Sequence, residues 1–263
     1  MTIAIGGLYV SDVYIQYSDP RFVKEQLKME QSSKESSNLA ISIVIPFYNE
    51  EECVVSVLEE VRRCQPDAEV IAVDDGSSDS TWELIDSMEG ITGLRFPANR
   101  GQSAAMLAGL HQAKNDILVA MDGDGQNDPA DITNMVSQLG SADAVFGFRA
   151  VRKDTWDRRV ASKIANSIRR LFINDGVTDT GCSLKVFRKD MIHCLPPFNG
   201  LHRFMGAFFV ACHYSIREVA VNHRPRTDGV SKYNNLNRAL RGIYDLIGVS
   251  WYINRRVDIR VDK

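Results

Sequence analysis

The stretch Val119-Ala120-Met121-Asp122-Gly123-Asp124-Gly125-Gln126-Asn127-Asp128-Pro129 decides how the rest of the chain is read. The apolar run Ile117 to Met121 has the length and composition of a buried strand. It breaks at once into Asp, Gly, Asp, Gly. Two carboxylates one residue apart at a strand end are too costly to bury unpaired. An oxygen-rich pair of this kind suits a hard divalent cation, Mg²⁺ or Mn²⁺. The glycines let the backbone approach a ligand closely, and Pro129 is placed to open a helix at its first turn.

Working outward, the same strand-then-polar pattern recurs. Ile41 to Pro46 is an apolar strand followed by Phe47-Tyr48-Asn49-Glu50. Asn49 is a suitable N-cap, Glu50, Glu51 and Glu52 suit the first helical turn, and Arg62 and Arg63 suit the last. Val54, Val57, Leu58 and Val61 recur at helical spacing. Glu69 to Val73 is a second buried strand, ending in Asp74, Asp75 and a turn at Gly76. Asp74 reads either as a turn residue bonding its own backbone or as part of a site. A helix over 81–88, a short strand near 94–96, a helix after Asn99-Arg100-Gly101, a helix over 129–139 and a strand over 143–148 follow. This alternation predicts an α/β fold, a mostly parallel sheet with helices on both faces. Ligands of such sheets sit beyond the carboxyl ends of the strands. Residues 46–50, 74–77 and 122–126 all fall there.

Composition bounds the remainder. The chain has 263 residues, 44% of them apolar, and five cysteines without Cys-x-x-Cys spacing, which read as free thiols of a reducing compartment. No run of about 18 apolar residues predicts a membrane span, and residues 1–16 lack the pattern of a secretory signal. The net charge of −3 hides an asymmetry. Residues 1–148 hold 9 Lys and Arg against 24 Asp and Glu, and residues 149–263 hold 22 against 10. The basic half suits phosphates or an anionic membrane surface. No nucleic-acid-binding motif accompanies it, so nucleic acid is not expected as a partner. Residues 1–39, ending in a polar linker, are read as an appendage.

Ile43-Val-Ile-Pro-Phe-Tyr-Asn-Glu50, Val73-Asp-Asp-Gly-Ser-Ser-Asp79, Asn99-Arg-Gly101 and Asp122-Gly-Asp-Gly-Gln126, in this order and spacing, resemble glycosyltransferase family 2. The resemblance implies a GT-A (Rossmann-like nucleotide-sugar-binding) fold. It implies that Pro46, Tyr48, Glu50, Asp75, Gly76, Arg100 and Asp122 line a nucleotide-sugar pocket. It also implies that Asp122, Asp124 and Gln126 hold the metal at the sugar diphosphate. Asp75 would accept from the N–H of a base.

The basic half narrows the likeness. Arg158 to Asn166, Asp179-Thr-Gly181, His202-Arg203-Phe204 and Arg226 to Tyr233 resemble dolichyl-phosphate mannose synthases and their bacterial polyprenyl-phosphate relatives. That implies inverting transfer of one sugar from a UDP- or GDP-sugar to a polyprenyl phosphate at the cytoplasmic membrane face. A phosphate acceptor is already anionic and needs cations rather than a base. Arg149, Arg159, Arg203, Arg226 and Lys232 are the expected acceptor or diphosphate contacts, with Asp122, Asp124, Arg149, Arg226 and Lys232 expected at the reacting centre. On this reading residues 40–233 form the transferase domain, 40–148 its donor half and 149–233 its acceptor half. Residues 234–263 add an amphipathic helix.

Two departures from the relatives stand out. Glycines stand at 123 and 125 where relatives often read Asp-Ala-Asp-Leu-Gln, which predicts altered loop flexibility with the metal-ligand positions kept, and Gln102 stands where a basic residue is common. Some members add C-terminal membrane spans, and this sequence shows none, so the chain is expected to be peripheral. Phe204 to Val210 and the helix over 235–253, with Trp251 and Tyr252, are its candidate membrane faces, or else surfaces for the core, a second copy or an integral-membrane partner. Two other functions fit the motifs less well: a transferase acting on a glycan hydroxyl, with Asp179 as its base, and a non-catalytic nucleotide-sugar-binding subunit. His111, His193 and His213 are read as structural or surface residues.

Overall fold

The computed structural model describes residues 39–150, 169, 172, 173, 175–225 and 235–257, the last of these with side chains from residue 242. The appendage read over 1–39 lies almost wholly outside them, as do the positions of Arg158, Arg159, Arg226 and Lys232.

Seven strands form one sheet in the order β3-β2-β1-β4-β6-β5-β7. They are β1 Ile41–Phe47, β2 Glu69–Asp74, β3 Ile91–Arg95, β4 Ile117–Ala120, β5 Ala144–Arg149, β6 Lys185–Arg188 and β7 Ile216–Val221. Strands β1 to β4 run parallel to one another, as does β7 to β5. β6 runs antiparallel between β4 and β5. The sheet is therefore mostly parallel, as expected, with one reversed strand. Its register sets Lys185 beside Ala120 on one side and Phe146 on the other.

Both faces of the central strands are covered, which is why they read as unbroken apolar runs. Ile43, Val44 and Ile45 are fully buried. Ile43 and Ile45 join the core under helices α1 (Val54–Cys64), α2 (Thr81–Asp86) and α4 (Asp131–Ser137). Val44 faces the opposite core, under α3 (Gln102–Gln112), α5 (Met205–Ala211) and α6 (Asn235–Arg255). In α1 the residues Val54, Val57, Leu58 and Val61 are the buried stripe, and Arg62 and Arg63 close its last turn. Gly109 of α3 lies directly on β1 and β2, where a side chain would meet Val44 and Val73.

Several expectations are corrected. Asn49 does not cap α1, which begins at Val54 behind Cys53 without an acidic first turn. Asn49 instead takes a left-handed backbone (φ 53°). Its N–H donates to Ser77 Oγ at 2.9 Å and its Oδ1 accepts from Ser78 N at 2.9 Å. The side chain thus ties the ends of β1 and β2 together. The segment Phe204 to Val210 is not a membrane face. Phe204, Met205, Phe208 and Phe209 are buried, and Phe209 packs on Phe187 at 5.1 Å between ring centroids. The cysteines are not all free thiols, since Cys194 and Cys212 form a disulfide between the 3₁₀ turn Lys189–Cys194 and the end of α5. Cys53, Cys64 and Cys182 take no part in a disulfide.

Replacing Gly109 with Ala is expected to lower stability by about 1–2 kcal/mol. Overpacking against Val44 outweighs the roughly 1 kcal/mol of helix propensity gained. Chemical denaturation followed by circular dichroism checks this. Unchanged or higher stability would mean that the α3–β1 contact yields.

Candidate active site

The loop after β4 carries three carboxylates, Asp122, Asp124 and Asp128, at the sheet's carboxyl edge. Asp122 is half-buried, and Gln102 Nε2 at the first turn of α3 donates to its Oδ1 at 2.6 Å. Burial first, and the neighbouring charge of Asp124 second, push the pKa of Asp122 up to about 6, and Lys185 pulls it back only in part. Asp124 Oδ1 accepts from Gln126 N at 3.2 Å. Asn127 Oδ1 accepts from Asp122 N at 3.3 Å and from Ser183 Oγ at 2.8 Å, binding the loop to the segment before β6. Asp122, Asp124, Gln126 and Arg149 line one cleft, together with Asn127, Gly181, Cys182, Ser183 and His223.

Gly123 explains why this loop is glycine-rich. A Cβ there would stand 2.5 Å from Phe47 Cδ1 and 2.8 Å from Pro46 O. The glycine lets the loop lie against the end of β1, so at this position it serves close packing. Gly125 has φ 73°, a conformation glycine adopts without strain.

The donor set fits a divalent cation. Two converging carboxylates and an amide side chain offer oxygen, the donor that Mg²⁺ and Mn²⁺ take. Burial and the adjacent charge of Asp124 both disfavour the ionised Asp122, which a bound cation would favour.

The second cluster lies at the ends of β1 and β2. Asp75 is buried and its carboxylate is heavily used. Oδ1 accepts from Arg100 N at 2.8 Å, and Oδ2 accepts from Gly101 N at 2.9 Å and Asn99 Nδ2 at 3.0 Å. It therefore anchors the loop that leads into α3. Desolvation nevertheless raises its pKa. Gly76 (φ 71°) is pressed so close to the backbone of Ala98 and Asn99 that a side chain would collide with both. Tyr48 is exposed, Pro46 and Glu50 are partly exposed, and the exposed Arg100 lies over the Phe96 ring at 5.3 Å.

The cationic residues divide. Arg149 lies in the cleft and is gripped by Asp179, Nε to Oδ2 at 2.7 Å and Nη2 to Oδ1 at 2.8 Å. Asp179 Oδ1 also accepts from Gly181 N. Arg203 is not among the residues lining the cleft. It pairs with Asp245 of α6 at 2.5 Å.

Sequence reasoning passed over Lys185. This lysine is buried, its ammonium donates to Cys182 O at 2.7 Å and it lies 5.5 Å from the Phe146 ring. Burial lowers its pKa, while Cys182, Asp122 and Asp179 act against that shift. Its only signal was a charge directly ahead of the apolar pair Val186-Phe187. Asn127 and Ser183 were missed because polar loop residues carry no periodicity. Gln102 was noticed only as a departure.

The family model described as Glycosyl transferase family 2 matches residues 42–195. A curated relative, dodecaprenyl-phosphate galacturonate synthase of Rhizobium johnstonii, is 37% identical over 230 residues, covering 82% of this chain and 68% of the relative. Undecaprenyl-phosphate 4-deoxy-4-formamido-L-arabinose transferase of Aeromonas hydrophila is 33% identical over 217 residues, covering 79% of this chain and 66% of the relative. The chain thus spans about two thirds of the length of these curated relatives. Among solved structures, glucosyl-3-phosphoglycerate synthase from Mycobacterium tuberculosis with UDP superposes with a TM-score of 0.65 at 19% identity, covering 85% of this chain and 84% of that one. The same enzyme with Mn²⁺, UDP-glucose and phosphoglyceric acid gives 0.64, also at 19% identity and with the same coverage. These likenesses establish the GT-A fold.

Asp122 must lose its proton before a cation can use its carboxylate. Mn²⁺ affinity of the metal-free protein is therefore expected to fall about tenfold per pH unit below the Asp122 pKa of about 6 and to level off above it. The sign for stability follows. A raised carboxyl pKa means that ionising Asp122 costs the metal-free fold stability between its ordinary 3.8 and about 6. Mn²⁺ should then raise the melting temperature more at about pH 7.5 than at about pH 5. Calorimetric titration and thermal melts at both values check this, and equal affinity at both would remove Asp122 from the metal site.

Proposed function

The chain belongs to glycosyl transferase family 2, and from that premise we propose that it transfers one sugar from a UDP- or GDP-sugar to a polyprenyl phosphate, with inversion at the anomeric carbon. The names of the curated relatives at 37% and 33% identity support this acceptor. The observation that carries it is the state of Asp179. Arg149 and Gly181 N occupy both of its carboxylate oxygens, so the residue expected to serve as base for a hydroxyl acceptor is a brace for a guanidinium. A lipid phosphate needs just that: it carries its own negative charge and must be held and aimed.

In this reading Asp122, Asp124 and Gln126 would hold Mg²⁺ or Mn²⁺ beside the donor diphosphate. When bound, the ion supplies positive charge for the departing nucleoside diphosphate. Gln102 holds Asp122 in place, and Lys185 offsets part of the cleft's negative charge from below. Arg149 points its braced guanidinium at a phosphate oxygen, with Arg159, Arg226 and Lys232 proposed to complete the acceptor site. Pro46, Tyr48, Glu50, Gly76 and Arg100 border the nucleotide, while Asp75 keeps the Asn99–Gly101 loop in position.

The acceptor also gives α6 a role. Leu246 and Val249 are buried, whereas Ile243, Tyr244, Ile247 and Trp251 stand exposed along another face, Tyr244 by 80% and Trp251 by 64%. Among the described residues no helix is long and apolar enough to cross a membrane. We assign this face to the cytoplasmic bilayer surface, where an amphipathic helix with Trp and Tyr lies in the interface.

Purified protein, undecaprenyl phosphate in detergent and Mn²⁺ are to be incubated with a panel of UDP- and GDP-sugars, with lipid-linked product read by mass spectrometry. One product lipid, lost on chelation, is expected. Tight nucleotide binding without any lipid product would overturn the acceptor. Asp124→Ala is expected to cost at least about 10²–10³ in turnover, and full activity without added divalent ion would refute the metal assignment. Ile247→Glu with Trp251→Glu is expected to cut co-sedimentation with anionic vesicles at least about tenfold, leaving turnover on a detergent-dispersed acceptor in place. Undiminished vesicle binding would release α6 from this role.

A further inference from the structure

Arg224, which is not among the residues lining the cleft, holds together several segments. Its Nη1 donates to both carboxylate oxygens of Glu60 on α1, at 3.0 and 2.8 Å. Its Nη2 pairs with Asp128 Oδ1 at 3.0 Å. Its backbone N–H donates to Gln126 O at 2.9 Å, and its carbonyl accepts from Gln126 Nε2 at 3.3 Å. His223, one residue earlier, forms an antiparallel bridge with Asn127. One residue thus binds the Asp124–Asp128 loop through main chain and side chain together, and fastens it to α1.

The chemistry of these contacts is specific. An amide side chain has a donor end and an acceptor end. With Gln126 Nε2 held on the Arg224 carbonyl, the Oε1 oxygen is the end left to serve a cation. Asp128 is the third carboxylate of the loop, and it would compete for any ion there. Its Oδ1 is taken by Arg224 and by Ala130 N at 3.1 Å. The guanidinium fork suits two carboxylates at once, which an ammonium cannot match.

We infer that Arg224 is a positioning residue for the divalent-ion site: it turns Gln126 oxygen-first into the cleft and withholds Asp128 from it. The inference rests on the proposal that Asp122, Asp124 and Gln126 hold the ion. A residue that merely steadied the surface would change melting temperature without changing ion affinity. Arg224 should change affinity, and through Glu60, a residue of α1 that is not among those lining the cleft.

The test uses the full chain stripped of metal and titrated with Mn²⁺, the free ion read by electron paramagnetic resonance and folding by circular dichroism. Arg224→Ala is expected to weaken Mn²⁺ binding by about tenfold or more, the usual effect of losing a partner behind a metal ligand. Arg224→Lys should recover part of that loss. Glu60→Gln should weaken binding in the same direction, and the double variant with Arg224→Ala should be no weaker than Arg224→Ala alone, because both remove one linkage. A folded Arg224→Ala protein with wild-type affinity overturns the inference. Should that variant fail to fold, wild-type affinity in both Glu60→Gln and Arg224→Lys overturns it equally. Wild-type protein that binds no Mn²⁺ overturns the metal reading itself, a separate result from an Arg224 variant indistinguishable from wild type.

Discussion

Like charges at a strand end set the terms for this molecule. Asp122 and Asp124 leave β4 one residue apart, and the cost of holding two carboxylates in a half-buried cleft must be met by the surroundings. Neighbouring elements contribute in different ways. Gln102 comes from α3, Ser183 acts through Asn127, Lys185 brings its charge from β6, and the 222–225 segment grips the far end of the loop. The compensation is incomplete: burial first and the charge of Asp124 second keep the Asp122 pKa raised. A protein that needed only stability would do better with apolar residues here. The uncompensated charge makes sense as a place kept for a cation.

Much of this was legible before any coordinates, for a physical reason. β1, β2 and β4 are buried on both faces, so their sequences are continuous apolar runs that end abruptly where the sheet ends. The polar residues that follow had to share one edge. What could not be read depends on pairing between distant segments. β6 belongs between β4 and β5 only because the chain returns across the sheet, and Lys185 acquires its neighbours from that return. Cys194 and Cys212 meet through the packing of a 3₁₀ turn against α5, which no spacing motif records. The run from Phe204 to Val210 was ambiguous because an apolar helix looks the same whether it faces core or lipid.

Residues singled out for chemistry on the strength of their charge also divide by partner. Asp75 spends its carboxylate on three donors of the 99–101 loop, and Asp179 spends its own on Arg149 and Gly181. Arg203 is spoken for by Asp245 of α6. The turn that carries Arg203 also reaches α3, since Gly200 N donates to Ser103 Oγ at 3.0 Å and His202 Nδ1 lies 2.9 Å from that hydroxyl. Ser103 follows Gln102, the partner of Asp122. A short polar chain therefore runs from the surface helix to the acidic loop, through the uncharged Gly200, Ser103 and Gln102.

The reversed strand has a bearing on how this fold can vary. Residues 40–148 and 149–233 differ in charge and in proposed duty, yet β6 lies hydrogen-bonded between β4 and β5, two strands that precede residue 150. The proposed donor and acceptor halves share one hydrogen-bonded sheet at that seam. A cut near residue 148 would strip β4 of its neighbour and expose the acidic loop's support. Exchange of acceptor preference among such proteins by swapping whole back halves is thereby hindered, and diversification is steered toward loops and surface helices that hang from an undivided sheet.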